Sequence, residues 1–253
     1  MSYQRIKAGI NLYAILKNLE DLIELDTESR NLIKGKDISI QFNVKNGPKA
    51  WIHFKNDACS VGQGSLNGAS VKLWFKSPKH LNEMFDGKAN PIPFKGFTKL
   101  GFLQNEFTKI TERLEYYLKP ELIENPTKEY IEINTRFTLT VATFSLSEIA
   151  KYDKKAIITA SHIPDGNIEL KVLPDGPVVY VNIKDGKITA YKGNATKPDA
   201  IMAMKDYQTA NDFLTGKSNP FKAIASGDVL IKGQLPMLDG LSLILDKVEA
   251  YAQ

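Results

Sequence analysis

The sequence predicts an α+β fold that is built twice along the chain. Each copy is expected to be a mostly antiparallel sheet of about five strands that helices cover on one face. Three observations predict this class: an internal repeat, short segments in which apolar residues alternate as in half-buried strands, and apolar residues at helical spacing in the last part of the chain.

The internal repeat has an offset of 129 residues, which carries Gly47-Pro48 onto Gly176-Pro177. Ten identities occur without a gap between positions 47 and 91, where composition alone gives about three. Beyond Pro91 the matching register changes, since Phe94-Lys95-Gly96 matches Ile231-Lys232-Gly233. The repeat therefore predicts two copies of one module.

The boundary between the copies is predicted from the ends of the repeat and from proline. The first copy ends near Leu118 and the second begins near Tyr130, and Lys119-Pro120 and Asn125-Pro126 lie between them. Proline disfavours helix in the residue that precedes it, which favours a break there. The predicted domains are residues 1–120 and residues 130–253.

The second copy has the clearer succession of predicted elements. A leading helix is predicted from Leu146 to Lys155, and a helix from Tyr207 to Leu214 is expected to end at Gly216. An apolar stripe from Leu238 to Tyr251 predicts a long last helix. The predicted strands are Asn167–Val172, Val178–Ile183, Lys187–Tyr191, Ala200–Met204 and Val229–Lys232, and a short helix is predicted from Pro220 to Ser226.

The first copy repeats this scheme. Apolar residues at helical spacing from Ile10 to Ile23 predict a leading helix. Strict alternation from Ile38 to Val44 predicts a half-buried strand. Further strands are predicted at Trp51–Lys55 and at Val71–Lys76.

The second copy resembles the sterol carrier protein type 2 family. The resemblance begins at Gly176–Lys187 and continues through the strand Asp199–Met204. It then follows Asp212–Gly227, where one helix ends in Gly-Lys and the next in Ser-Gly, and Val229–Gln234, where a strand ends in Lys-Gly. The first copy shares the resemblance only through the internal repeat.

This resemblance implies a hydrophobic tunnel between the sheet and the helices, with the C-terminal helix as its wall or lid. Members of the family bind sterols, fatty acids, acyl-CoA thioesters or other lipids. Methionine suits such a wall because it is flexible and polarizable. The predicted lipid-binding residues are Met202, Met204, Phe213, Phe221, Ile224, Leu238, Leu241 and Leu245.

The first copy departs from the family pattern and is predicted to be degenerate. It lacks 8 residues that the second copy has around Phe221 to Leu230. It is also rich in large rings, which favours a cavity filled by its own side chains over a second binding site. These rings are Trp51, Phe54, Trp74, Phe75, Phe94, Phe97, Phe102 and Phe107.

Composition excludes several classes of function. The net charge is only +4, and lysines are mixed with carboxylates, whereas a nucleic-acid binder usually has a basic patch interleaved with aromatic residues. Cys59 is the only cysteine, so no intrachain disulfide can form, and we predict a cytoplasmic protein. No run of about 18 apolar residues occurs that would predict a membrane span.

The sequence has no local signature of catalysis. Its histidines, His53, His80 and His162, form no H-x-x-x-H pair, so no zinc site is predicted. It has neither a G-x-S-x-G nucleophile turn nor a G-x4-G-K-[S/T] phosphate loop. We therefore predict a protein that is not an enzyme and that has no metal and no cofactor.

The predicted function is binding and intracellular carriage of hydrophobic ligands such as fatty acids, acyl-CoA or sterol-like lipids in an apolar tunnel, with transient contact to membrane surfaces. The alternative is an interaction subunit that presents or shields an apolar substrate for a separate enzyme partner. A hydrolase or acyltransferase that acts on lipids is the third hypothesis.

Overall fold

The computed structural model describes residues 2–119 and 123–252. The chain divides into two compact units, Met1–Leu122 and Ile123–Gln253. Each unit holds one five-stranded mixed sheet flanked by helices, so the predicted α+β class is confirmed. The predicted boundary residue Pro120 lies outside the described residues.

The first unit begins with three helices, continues through four strands, and ends with a helix, an edge strand and further helices. Its helices are α1 (Ser2–Ile10), α2 (Asn18–Leu25), α3 (Thr27–Ile33), α4 (Pro78–Phe85), α5 (Leu100–Phe102) and α6 (Thr108–Leu118). Its strands are β1 (Ile38–Val44), β2 (Lys49–Lys55), β3 (Ala58–Gln63), β4 (Val71–Phe75) and β5 (Ile92–Lys95).

The second unit has the same order of strands with longer helices around them. Its helices are α7 (Lys128–Tyr152), α8 (Lys154–His162), α9 (Tyr207–Leu214), α10 (Pro220–Ala225), α11 (Leu235–Leu245) and α12 (Val248–Ala252). Its strands are β6 (Gly166–Val172), β7 (Val178–Lys184), β8 (Lys187–Lys192), β9 (Ala200–Met204) and β10 (Val229–Gly233).

The two sheets have one topology. The strand order is β3-β2-β1-β4-β5 in the first and, read from the corresponding edge, β8-β7-β6-β9-β10 in the second. All neighbours are antiparallel except the pairs β1/β4 and β6/β9. The predicted mostly antiparallel sheets are therefore confirmed, and each has one parallel pair at its centre.

The period-2 alternation of the sequence gives strands β2 and β7 one buried face. In β2, Ala50, Ile52 and Phe54 are fully buried, whereas the intervening Trp51 and His53 are half-buried. Successive side chains of a strand point to opposite faces, so the buried apolar residues lie on one side of the sheet. The same alternation buries Val179, Val181 and Ile183 in β7.

The prediction of one helix from Leu146 to Lys155 is wrong. The helix α7 ends at Tyr152, because Asp153 takes an extended conformation (φ −82°, ψ 123°) and caps α8. Its carboxylate accepts a hydrogen bond from the amide of Ala156 at 2.9 Å, as an N-cap residue does.

Two other predicted helices differ from the structure in continuity. The apolar stripe from Leu238 to Tyr251 forms two helices, because α11 ends at Leu245 and α12 starts at Val248. The predicted leading helix of the first copy is interrupted by a π-helical turn at Asn11–Ile15.

Within residues 2–119 and 123–252, no helix is long and apolar enough to cross a membrane.

Candidate functional site

Strand β9 brings Met202 and Met204 onto the inner face of the second sheet. Met202 lies opposite Leu170 and Met204 lies opposite Val172 in the parallel pair with β6. On the other side, Met204 pairs with Val229 of β10. Because directly opposed residues share a face, these side chains make one apolar floor, in which Met204 is buried and Met202 is half-buried.

Helix α11 covers part of this floor. It packs against β9, α7 and α8, and it buries Met237, Leu238, Leu241 and Ile244 at helical spacing. Gly240 allows the close approach, since a Cβ there would lie 2.5 Å from Cγ1 of Ile163. The predicted residues Leu238 and Leu241 therefore lie on the inner side of α11, and Leu245 at its end is half-buried.

Helix α9 is held over the sheet by a buried polar contact with α7. Asn211 donates through Nδ2 to Asn134 Oδ1 at 2.5 Å and to Thr135 Oγ1 at 3.2 Å. All three side chains are at least nine-tenths buried, so each needs these hydrogen bonds to offset its lost hydration. The predicted residue Phe213, two positions further along α9, is half-buried.

The two predicted residues of α10 lie at the surface. Phe221 is 83% exposed and Ile224 is 40% exposed, while Ala223 on the other side of this short helix is buried. Six of the eight predicted lipid-binding residues are thus buried or half-buried. Phe221 and Ile224 are exposed.

One buried carboxylate was not predicted as part of the site. Glu169 of β6 is only 3% exposed, accepts a hydrogen bond from the amide of Ala195 at 3.0 Å, and pairs with Lys171 at 3.1 Å. It fixes the loop between β8 and β9 on the face opposite the methionines. A glutamate in an alternating strand indicates a solvated position, so its burial could not be predicted from the sequence.

A second unpredicted group, Asp153, ties the end of the chain to the start of α8. Its carboxylate accepts from the hydroxyl of Tyr251 at 2.8 Å and lies 3.4 Å from Nζ of Lys247. Burial by itself raises the pKa of Asp153, but the amide of Ala156, Tyr251 and Lys247 outweigh burial and leave this pKa below its usual value of 3.8.

We expect Asp153→Asn to lower the free energy of unfolding of the second unit by about 1 kcal/mol at pH 7, because the amide still caps α8 but loses its ionic partner. A depressed pKa gives stability that is present above the unfolded value and lost as the pH falls through the folded value. In urea titrations followed by circular dichroism, the difference from the wild type should therefore shrink as the pH falls below the usual value of 3.8.

The matched control is Asp246→Asn, which removes an exposed carboxylate from the same end of the chain. An equal loss of stability in this control, or a loss in Asp153→Asn that persists at low pH, would contradict the assigned role of the Asp153 carboxylate.

In the first unit, aromatic rings occupy the corresponding inner layer. Phe54 of β2 contacts Phe102 and Phe107 edge to face, with ring centroids 5.9 and 6.2 Å apart, and Phe102 and Phe107 are 6.5 Å apart. The chain passes from α4 to β5 without a helix equivalent to α10. Both observations support the prediction that this unit fills its interior with its own side chains, but the predicted rings Phe94 and Phe97 are 51% and 63% exposed and take no part in that filling.

The described part of the chain contains no cluster of three or more His, Cys, Asp or Glu residues that could hold a metal ion.

A search of curated proteins finds no match. Several solved structures are similar in part. The sterol carrier protein domain 2 of Helicoverpa armigera is 23% identical, with 45% of this chain and 89% of that chain covered, at a TM-score of 0.35.

Sterol carrier protein 2 from Yarrowia lipolytica is 18% identical, with 41% of this chain and 90% of that chain covered, at a TM-score of 0.33. An inverting sec-alkylsulfatase from Pseudomonas sp. is 12% identical, with 60% of this chain and 30% of that chain covered, at a TM-score of 0.28. The model of the SCP-2 sterol transfer family matches residues 160–246. The chain therefore contains one SCP-2 sterol transfer domain, at residues 160–246.

Proposed function

We propose that the second unit binds a hydrophobic ligand between the inner face of its sheet and the helices α9 and α11, and carries it without changing it chemically. The match of residues 160–246 to the SCP-2 sterol transfer family carries this proposal. The apolar floor around Met202 and Met204, with Leu238 and Leu241 above it, supports the location.

The chemistry of this layer favours broad specificity. A lipid held there is stabilised by burial of its hydrocarbon surface, worth about 25 cal/mol per Å² before ordering costs. The two methionines adapt to acyl chains or rings of different shape because the thioether side chain is unbranched and flexible. Fatty acids, acyl-CoA and sterol-like lipids are the proposed ligands, carried in an apolar tunnel in the cytoplasm.

Two matched contacts support the further proposal that the units are tandem copies of one module. Gln41 of β1 accepts through Oε1 from the amide of Leu66 at 2.7 Å, as Glu169 accepts from Ala195. Leu66 and Ala195 are related by the repeat offset of 129 residues. The same polar contact thus fixes the same loop in both units.

The second matched contact is a buried asparagine pair. Asn82 of α4 accepts a hydrogen bond from Asn11 Nδ2 at 3.1 Å, and its repeat equivalent Asn211 bonds Asn134 in the second unit. Because the ring cluster of Phe54 occupies the interior of the first copy, we propose one ligand for each chain.

Organic extraction followed by mass spectrometry, together with native mass spectrometry of the purified chain, tests the proposal. We expect one fatty acid or other lipid bound to each chain, either retained through purification or taken up when added. Two ligands in each chain would contradict the filled first copy. A ligand-free protein that takes up neither fatty acid nor sterol would contradict carriage, and an enzyme recovered with it in a pull-down would then favour the interaction subunit.

A further inference from the structure

One edge of the second unit exposes four large apolar side chains within a short stretch of sequence. Phe221 and Ile224 of α10 are 83% and 40% exposed, Leu230 of β10 is 54% exposed, and Leu235 at the start of α11 is 57% exposed. Strand β10 ends the sheet, and α10 packs against it. We call these four residues the α10–β10 edge.

The charges around the α10–β10 edge are almost all positive. Lys217, Lys222 and Lys232 are exposed and form no ion pair with any residue that the structure describes. Asp228 is the only acidic residue between positions 215 and 236, and its carboxylate is already engaged by the hydroxyl of Ser226 at 2.6 Å and by Lys205 at 3.4 Å. The surface therefore combines apolar side chains with three unneutralised lysines.

We propose that the α10–β10 edge docks on the surface of an anionic phospholipid bilayer, with Phe221 inserted among the acyl chains and the three lysines on the headgroups. The inference rests on the proposed lipid carriage, because docking on a bilayer supplies the step at which the carried ligand is loaded or released. Basic residues beside exposed Phe and Leu are typical of segments that lie in the bilayer interface. Protein–protein interfaces are instead depleted in lysine.

The outer side of α11 provides an internal comparison. Leu243 is 58% exposed, which matches the 54% of Leu230. Two aspartates, Asp239 and Asp246, lie one turn before and one turn after Leu243, and both are exposed. Anionic headgroups are repelled by these carboxylates, so an exposed leucine at this place is not expected to contribute to docking.

Flotation of the full chain with phospholipid vesicles tests the proposal. The vesicles are phosphatidylcholine alone or phosphatidylcholine with about 30 mol% phosphatidylserine, which provides the negative surface potential. We expect binding to the anionic vesicles that weakens as salt shortens the Debye length. Phe221→Ala and Leu230→Ala should each reduce partitioning about ten-fold through lost apolar burial, and Lys222→Glu should reduce it at least about five-fold.

Each variant has a matched control in the same unit. Leu243→Ala removes an equally exposed leucine, and Lys187→Glu reverses an exposed lysine on β8, at the opposite edge of the sheet. Both controls should bind as the wild type does. Equal binding to neutral vesicles, or equal losses in variants and controls, would overturn the proposal. A change of oligomeric state in Phe221→Ala, with vesicle binding unchanged, would assign the edge to a second copy of the chain and also overturn it.

Uptake of added fatty acid in the absence of vesicles separates this inference from the proposed function. We expect Lys222→Glu to take up fatty acid as the wild type does while docking poorly, which supports a role of this edge in docking alone. Intact uptake in a wild-type chain that binds no anionic vesicles would overturn docking and leave carriage standing. Anionic-vesicle binding that follows the predicted variant pattern in a chain without uptake would support docking and overturn carriage.

Discussion

Replacement of Leu241 by tryptophan is expected to reduce uptake of fatty acid by more than about ten-fold, since a ligand loses about 0.8 kcal/mol for each methylene that the indole displaces. Leu241 is 1% exposed and lies on the buried side of α11, which packs against β9, α7 and α8. A tryptophan there is expected to extend into the space in which the ligand is proposed to bind. Native mass spectrometry of the loaded chain measures the occupancy directly.

The matched control is Leu243→Trp, which places the same side chain on the exposed side of the same helix, where Leu243 is 58% exposed. We expect this variant to retain uptake. Overpacking in Leu241→Trp costs about 1–3 kcal/mol of stability, so a circular dichroism melt must accompany the measurement. If the melting temperature of Leu241→Trp is too low for the uptake measurement, Leu241→Phe provides a smaller increase in side-chain volume. Full occupancy in a folded Leu241→Trp chain would place the ligand elsewhere.

Elements with a strong local pattern were predicted with their observed bounds. Strand β9 and helix α9 both begin and end where the sequence predicts, at Ala200–Met204 and Tyr207–Leu214. In α9 the sequence signal is the left-handed Gly216 after the last turn, and the structure adds the carboxylate of Asp206, which caps the first turn.

The long helix α7 was missed because its buried side is partly polar. Thr140, Thr143 and Ser145 are each at most 2% exposed, so the apolar spacing that predicts a helix is interrupted along this segment. The break at Asp153 was missed for a different reason. An aspartate that caps a new helix and an aspartate on the outside of a continuing helix give the same residue pattern, and only the extended backbone distinguishes them.

The inner layer of the candidate site was predictable where periodicity fixes a face. Met204 and Leu241 are buried because alternation in a strand and spacing in a helix assign them to the apolar side. Phe221 and Ile224 follow the same rule, being three residues apart in α10, yet they point to solvent. Periodicity shows that two residues share a face, but it does not show what that face contacts.

In the first unit, Arg113 of α6 forms an ion pair with the buried carboxylate of Asp26, and the loss of this pair is expected to lower stability strongly. Asp26 is 6% exposed and caps α3 through the amide of Ser29 at 2.9 Å. Arg113 donates to its carboxylate through Nη2 at 2.5 Å and Nε at 3.3 Å, and Tyr117 donates to it at 3.3 Å. Arg113 therefore connects α6 to the junction of α2 and α3.

Arg113→Leu is expected to lower the free energy of unfolding of the first unit by about 3 kcal/mol at neutral pH, because it leaves a buried carboxylate without its cation. This value is the lower end of the range of about 3–5 kcal/mol for breaking a buried ion pair, since the Arg113 side chain is 31% exposed. Tryptophan fluorescence in urea reports on this unit alone, because Trp51 and Trp74 are the two tryptophans of the chain. Lys109→Leu, at an exposed position of the same helix, is the control and should change stability little.

The pH dependence separates a lost ion pair from lost packing. Burial by itself raises the pKa of Asp26, but Arg113 and Ser29 outweigh burial and hold this pKa below its usual value of 3.8. The stabilisation by Asp26 is therefore present above that value and is lost as the pH falls through the lower folded pKa. The hydrogen bond to Asp26 raises the pKa of Arg113 further above its already high usual range, so Arg113 stays charged throughout.

The difference in stability between the wild type and Arg113→Leu should accordingly be largest at neutral pH and shrink below about pH 4, as Asp26 becomes protonated in both proteins. Asp26→Asn combined with Arg113→Leu should recover part of the loss at neutral pH, because no buried charge then remains unpaired. A deficit that is constant from pH 7 to about pH 3 would instead mean that packing of the Arg113 side chain, whose guanidinium carbon lies 5.3 Å from the ring centroids of Tyr116 and Tyr117, supplies the stabilisation. In that case α6 would be held by the burial of its side chains, and the carboxylate would act only as the cap of α3.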